Sequence, residues 1–124
     1  MLFHSTRGGD KDKTFEDVLM QGLASDGGLF MPNSWPQVNL DSLRSKSSFL
    51  EVAKEVVPLF TASSFSKEEV EDILEKTWHD FSDKDIAPIK HLDDQKVVLE
   101  LFHGPTAAFK DFGLQLAAAF LMKF

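Results

Sequence analysis

Lys110 is the side chain in this sequence with the strongest claim to chemistry. It stands in the run Leu101-Phe102-His103-Gly104-Pro105-Thr106-Ala107-Ala108-Phe109-Lys110-Asp111-Phe112, with Ala107, Ala108, Phe109 and Phe112 as apolar neighbours. A lysine amine attacks a carbonyl when its ammonium form is disfavoured, and apolar neighbours act in that direction by desolvation. A place in the first turn of a helix adds the positive end of the macrodipole, which works the same way. Spacing alone favours a plainer explanation, a lysine whose stem covers an apolar helix while its amine reaches water.

Other polar groups offer weaker chemistry. Arg7, one of two arginines, adjoins Gly8 and Gly9. Two glycine amides there would form an anion-binding nest for a phosphate, although an arginine in a surface turn is the blander explanation. Thr106 either contacts a ligand or caps the helix expected from about Ala107, and the cap is the simpler role. His103 shares that loop, where a structural histidine is the commoner case. His4, His79, His91 and His103 include no i, i+4 ligand pair, so no metal site is expected. Asp111 is an acid at a helix N-terminus and needs no catalytic task to be there.

The composition narrows the classes of function. A chain of 124 residues is long enough for one domain with a core and leaves no room for a second. Its 20 acids against 13 bases give a net charge of −7, the wrong sign for a phosphate-backbone partner, so nucleic acid is excluded as an expected ligand. The absence of cysteine removes disulfides and thiolate metal sites. Met1 to Asp10 is too polar for a secretory signal, and no apolar run reaches the ~18 residues of a membrane span. A cytoplasmic protein with no membrane partner is expected.

The elements that must position Lys110 are legible from caps and periodicity. Met1 to His4 predicts a short edge strand, and Leu29 to Pro32 an extended apolar segment after the Asp26-Gly27-Gly28 turn. Thr14 is the expected N-cap of a helix carrying Phe15, Val18, Leu19 and Leu23 on one face. One helical turn is expected around Leu40 to Leu43. Ser48 with Glu51 opens a helix that Pro58 should end or kink. Ser66 with Glu69 opens the clearest helix, with Val70, Ile73, Leu74, Thr77, Trp78 and Phe81 on its buried face.

Ile86 to Ile89 predicts a short extended piece. Val97 to Phe102 reads as a strand covered on both faces, and the break at His103 to Thr106 turns it into a helix, the first half of a βαβ unit. From Phe109 to Phe124 only Lys110, Asp111, Gln115 and Lys123 are polar, so this helix should be buried on most sides. It lacks a capping glycine and a following strand, which predicts a sequence cut from a longer protein.

The run from Leu101 to Phe112 resembles the pyridoxal-phosphate lysine segment of the threonine synthase family. Ser5-Thr6-Arg7-Gly8-Gly9, then Phe15-Glu16-Asp17-Val18-Leu19 with Gly22-Leu23-Ala24, and Asp26-Gly27-Gly28-Leu29-Phe30-Met31-Pro32 fall in the family's order. The stretch from Asn33 to Lys96 contributes little. The resemblance implies an α/β, fold-type II pyridoxal-phosphate enzyme. Residues 1–96 would be its mostly helical N-terminal region, and 97–124 the start of the catalytic domain with its first strand and lysine-bearing helix.

It further implies that Lys110 is the catalytic residue and holds pyridoxal 5'-phosphate as a Schiff base. O-phospho-L-homoserine and water would be converted to L-threonine and phosphate, with the remainder of the catalytic domain as the chain's structural partner. A phosphate cradle and a partner for the pyridine nitrogen are missing from these residues, so 1–124 alone is expected neither to hold the cofactor tightly nor to turn over substrate. Two other readings stay open. One is a threonine synthase-like phospholyase acting on a related phosphoamino acid. The other is a non-enzymatic helical module whose apolar last helix docks on a partner.

Overall fold

The computed structural model describes all residues, 1–124, as a mixed α/β region of five helices and two two-stranded sheets. Strand β1 (Phe3–Ser5) is followed by α1 (Phe15–Gln21), where Thr14 and Asp17 form a reciprocal capping box. The first two helical amides are also taken up from outside, Phe15 N–H by Ser63 Oγ and Glu16 N–H by Ser64 Oγ, both at 2.9 Å. Strand β2 (Phe30–Pro32) returns antiparallel to β1, with His4 opposite Met31. Phe15, Val18 and Leu19 are half-buried, but Leu23 lies beyond the helix end and stays exposed.

Helix α2 (Leu40–Arg44) is the expected single turn, capped by Asn39. Helix α3 (Phe49–Thr61) carries Pro58 inside it and ends within a turn, as expected where proline removes one helical donor. Helix α4 (Lys67–Thr77) opens on the Ser66–Glu69 capping box, and all six residues of its expected inner face are buried. Ala53 of α3, Val70, Ile73 and Leu74 of α4, Trp78, Phe81 and Phe120 make one core cluster. Aromatic edges knit it together. Phe49 meets Trp78 with ring centroids 5.0 Å apart, and Phe81 meets Phe112 at 5.1 Å.

The last elements depart from expectation. Strand β3 (Ile89–His91) pairs antiparallel with β4 (Val97–Leu99) as a hairpin, and every residue of both is exposed. The strand foreseen over Val97 to Phe102 is shorter, and within these 124 residues its faces are exposed. Helix α5 (Asp111–Leu121) begins later than Ala107 and buries only Asp111 and Phe120. Leu114, Leu121 and Met122 remain exposed, so the helix is clamped on one side against α4 and α1 and open on the other. No helix is long and apolar enough to cross a membrane.

Candidate functional site

Lys110 sits at the N-cap of α5, one residue before the helix, not in its first turn. Its side chain makes no hydrogen bond or ion pair. Among the lysines this is shared only by Lys11 and Lys84, while the other eight are ion-paired. The apolar sheath expected around it does not form within this chain. Phe109 is 65% exposed, and Phe112 turns inward against Phe49 and Phe81.

The loop before Lys110 is fixed at both ends. At its start, the His103 carbonyl accepts Ser82 N–H at 2.8 Å and Ser82 Oγ–H at 3.2 Å. The His103 ring lies between Ser82 Oγ, 3.2 Å from Nδ1, and Glu100 Oε2, which accepts from Nε2 at 2.8 Å. That bond lowers the Glu100 pKa below its usual value, and burial opposes the shift. His103 is thus held by neighbours, as a structural histidine would be, and nothing in its spacing flagged Ser82 as its partner.

At the other end, Asp111 accepts Thr106 N–H at 2.8 Å and Thr106 Oγ–H at 2.7 Å. The expected cap is inverted: Thr106 donates its hydroxyl to the helix's first carboxylate and accepts no helical amide. Gly104 fits because a Cβ there would run into the Asp111 carboxylate. Trp78 Nε1–H adds a bond to the Phe112 carbonyl at 3.2 Å, joining the start of α5 to the end of α4.

The glycine-rich turns near the N-terminus make a second polar cluster. The anion in its amide nest is internal. The Asp26 carboxylate accepts Ser5 Oγ–H at 2.7 Å, Gly9 N–H at 2.7 Å and Gly28 N–H at 2.9 Å. Arg7 bridges the two turns by donating Nη1–H to the Asp26 carbonyl at 3.0 Å. A Cβ on Gly28 would collide with Ser5 Oγ, so glycine permits the close approach. An aspartate followed by two glycines was legible as a turn, but its capture by Ser5 and Gly9 depends on the β1–β2 pairing. No group of three or more His, Asp or Glu side chains is arranged to hold a metal.

Asp26 yields a pH prediction. The Ser5 hydroxyl and then the Gly28 amide lower its folded pKa from the usual 3.8, against desolvation. A carboxyl lowered on folding stabilises fully above its unfolded value, and that stability is lost as pH falls through the folded value. Acid unfolding of Asp26→Asn should therefore show a shallower pH dependence below about 4 than the parent protein. Superimposable acid limbs would refute this role for Asp26.

A restrained loop that delivers an unpaired lysine to the start of a helix suits nucleophilic lysine chemistry at a carbonyl. The chain belongs to the threonine synthase N-terminal family, whose model, threonine synthase N terminus, matches residues 2–78. Threonine synthase of Pseudomonas aeruginosa is 44% identical over 123 residues, spanning 98% of this chain and 26% of that protein. Threonine synthase-like 2 of Homo sapiens is 37% identical over 127 residues, spanning 100% of this chain and 26% of that protein.

The crystal structure of threonine synthase from yeast superposes with a TM-score of 0.90 at 35% identity, over 99% of this chain and 26% of that one. The pyridoxal-phosphate-bound threonine synthase from Brucella melitensis gives 0.88 at 37% identity, over 96% and 26%. The chain thus spans about a quarter of the length of these relatives.

Proposed function

We propose that the protein to which this chain contributes is a threonine synthase, converting O-phospho-L-homoserine and water to L-threonine and phosphate. Lys110 is the residue that carries its pyridoxal phosphate. The observation that supports this most is the free Lys110 amine at the end of a hydrogen-bonded loop, within the twelve-residue run from Leu101 to Phe112. Residues 1–96 serve as the N-terminal region, and 97–124 open the catalytic domain of a fold-type II enzyme. A cytoplasmic location accords with the lack of cysteine.

These residues fit the cofactor at the lysine alone. The Gly104 side of the loop is filled by the Asp111 carboxylate, and Gly113 lies within α5, so neither glycine belongs to a phosphate cradle. When bound, pyridoxal phosphate supplies an electron sink for the carbanion that forms at the substrate's α and β carbons. Lys110 would hold the cofactor's aldehyde carbon through its amine, and the same amine, when free, would move protons at those carbons. Loss of phosphate from the γ carbon and addition of water at the β carbon then give threonine. Other parts of the whole protein supply the cradle and the substrate contacts.

A related reading, a phospholyase on a similar phosphoamino acid, draws on the 37% identity to threonine synthase-like 2, below the 44% to a threonine synthase. Borohydride reduction of the whole holoprotein, with peptide mapping, should place a pyridoxyl adduct on Lys110. Incubation with O-phosphohomoserine should release phosphate and threonine in equal amounts. An adduct elsewhere would overturn the lysine assignment, and an oxo-acid product would favour the phospholyase.

A further inference from the structure

We infer that Asp111 is a positioning residue for Lys110, acting through Thr106 to hold the loop that presents the lysine amine. The inference rests on the function proposed above. All side-chain hydrogen bonds of residues 104–110 go to one group, the Asp111 carboxylate. Pro105, Thr106, Ala107, Phe109 and Lys110 are exposed, so packing within this chain does not fix them. Asp111 itself is 3% exposed. A carboxylate that served only the helix dipole would sit equally well in water. Burial carries a desolvation cost, and here it is answered by two bonds to a residue upstream in the loop.

The backbone conformation requires such a tie. Ala107 N–H reaches Gly104 O at 3.0 Å and Asp111 N–H reaches Ala108 O at 3.0 Å, closing two turns. Between them Ala107 takes a left-handed φ of 56°, which a residue with a Cβ adopts only when its surroundings impose it. Gly104 leaves the carboxylate its space, since any Cβ would displace it. Lys110 has no cap bond of its own, so its placement depends on the residues flanking it.

The test uses the whole protein with Asp111→Asn, Asp111→Ala, Thr106→Val and Thr106→Ser. In the cofactor-free protein, hydrogen exchange at the Thr106 amide should speed up by roughly tenfold or more in Asp111→Ala and Thr106→Val, and stay near parental in Thr106→Ser. After addition of pyridoxal phosphate, the rate of borohydride-trappable attachment to Lys110 should fall roughly tenfold in Thr106→Val. It should recover in Thr106→Ser, and kcat should drop more than KM changes.

Thr106 is exposed, so its variants remain informative where Asp111→Ala fails to fold. Parental exchange and attachment rates in Thr106→Val and Asp111→Asn would overturn the positioning role while leaving Lys110 as the cofactor residue. Absence of any Lys110 adduct in the parent protein would overturn the proposed function itself, and this inference with it.

Discussion

Replacing Lys110 by alanine in the whole protein is expected to abolish the covalent link to pyridoxal phosphate and cut threonine formation by at least about a thousandfold. Two contributions are lost together. The amine is the only group in the loop able to bond an aldehyde, and under the proposed function the same amine moves protons, a role that alone contributes roughly 10²–10⁴-fold in enzymes. Lys110→Arg should be nearly as inactive, because a guanidinium keeps the charge but stays protonated and does not act as a nucleophile at neutral pH.

The stability of the cofactor-free protein should barely change, by about 0.5 kcal/mol or less, since within this chain the Lys110 side chain is exposed and has no partner to lose. Absorbance of the bound cofactor, phosphate release and a thermal melt check all three statements. An alanine variant that retains even a tenth of parental activity would remove Lys110 from the mechanism.

The sequence carried the local signals well and the long-range ones poorly. Thr14 as an N-cap and Ser66 with Glu69 as a capping box name their helix starts outright, because such caps are complete within four residues. The buried face of α4 was legible for the same reason: its period is local and its polar side is densely charged. The start of α5 was misread. Thr106 looks like a cap and Ala107 like a helix former, but Asp111 draws the Thr106 hydroxyl and amide to itself, and Ala107 is left in a conformation no helix contains.

Strand β4 was misread for a different reason. Val97, Val98 and Leu99 have the composition of a covered strand, but which neighbour a strand pairs with is decided by the rest of the sheet. Within 124 residues the available partner is Ile89–His91. The Asp26 cluster was hidden because two of its three donors, Ser5 and Gly9, lie 21 and 17 positions away and are brought to it by the β1–β2 pairing. Lys110 itself is singled out by its neighbours in sequence, whereas the Asp111–Thr106 tie in the loop before it emerges only in three dimensions.

Phe120→Ala should be among the most destabilising single changes in this region, by about 3–5 kcal/mol. Phe120 is 2% exposed and sits where three elements converge, with its ring 5.0 Å from Phe15 and 5.1 Å from Phe65. Truncation removes both the transfer energy of the ring and the contacts of the atoms that lined it, and an interior of this density relaxes only partly.

Phe120→Leu separates the two contributions. It keeps most of the volume and forfeits the aromatic edge contacts, about 0.5–1.5 kcal/mol for each pair. Urea unfolding should therefore rank parent, leucine and alanine in that order, with the alanine midpoint lower by about 1–3 M at ordinary m-values. Equal losses in the two variants would mean that no sealed cavity forms at Phe120.

The position of this residue gives the result a bearing on Lys110. Helix α5 is held near its start by the bond from Trp78 to Phe112 and by the Asp111–Thr106 tie, and near its far end by Phe120. Loss of the distal anchor should loosen the helix while leaving the loop's own hydrogen bonds intact. Phe120→Ala should thus lower stability much more than it slows cofactor attachment to Lys110, the reverse of the pattern expected for Thr106→Val.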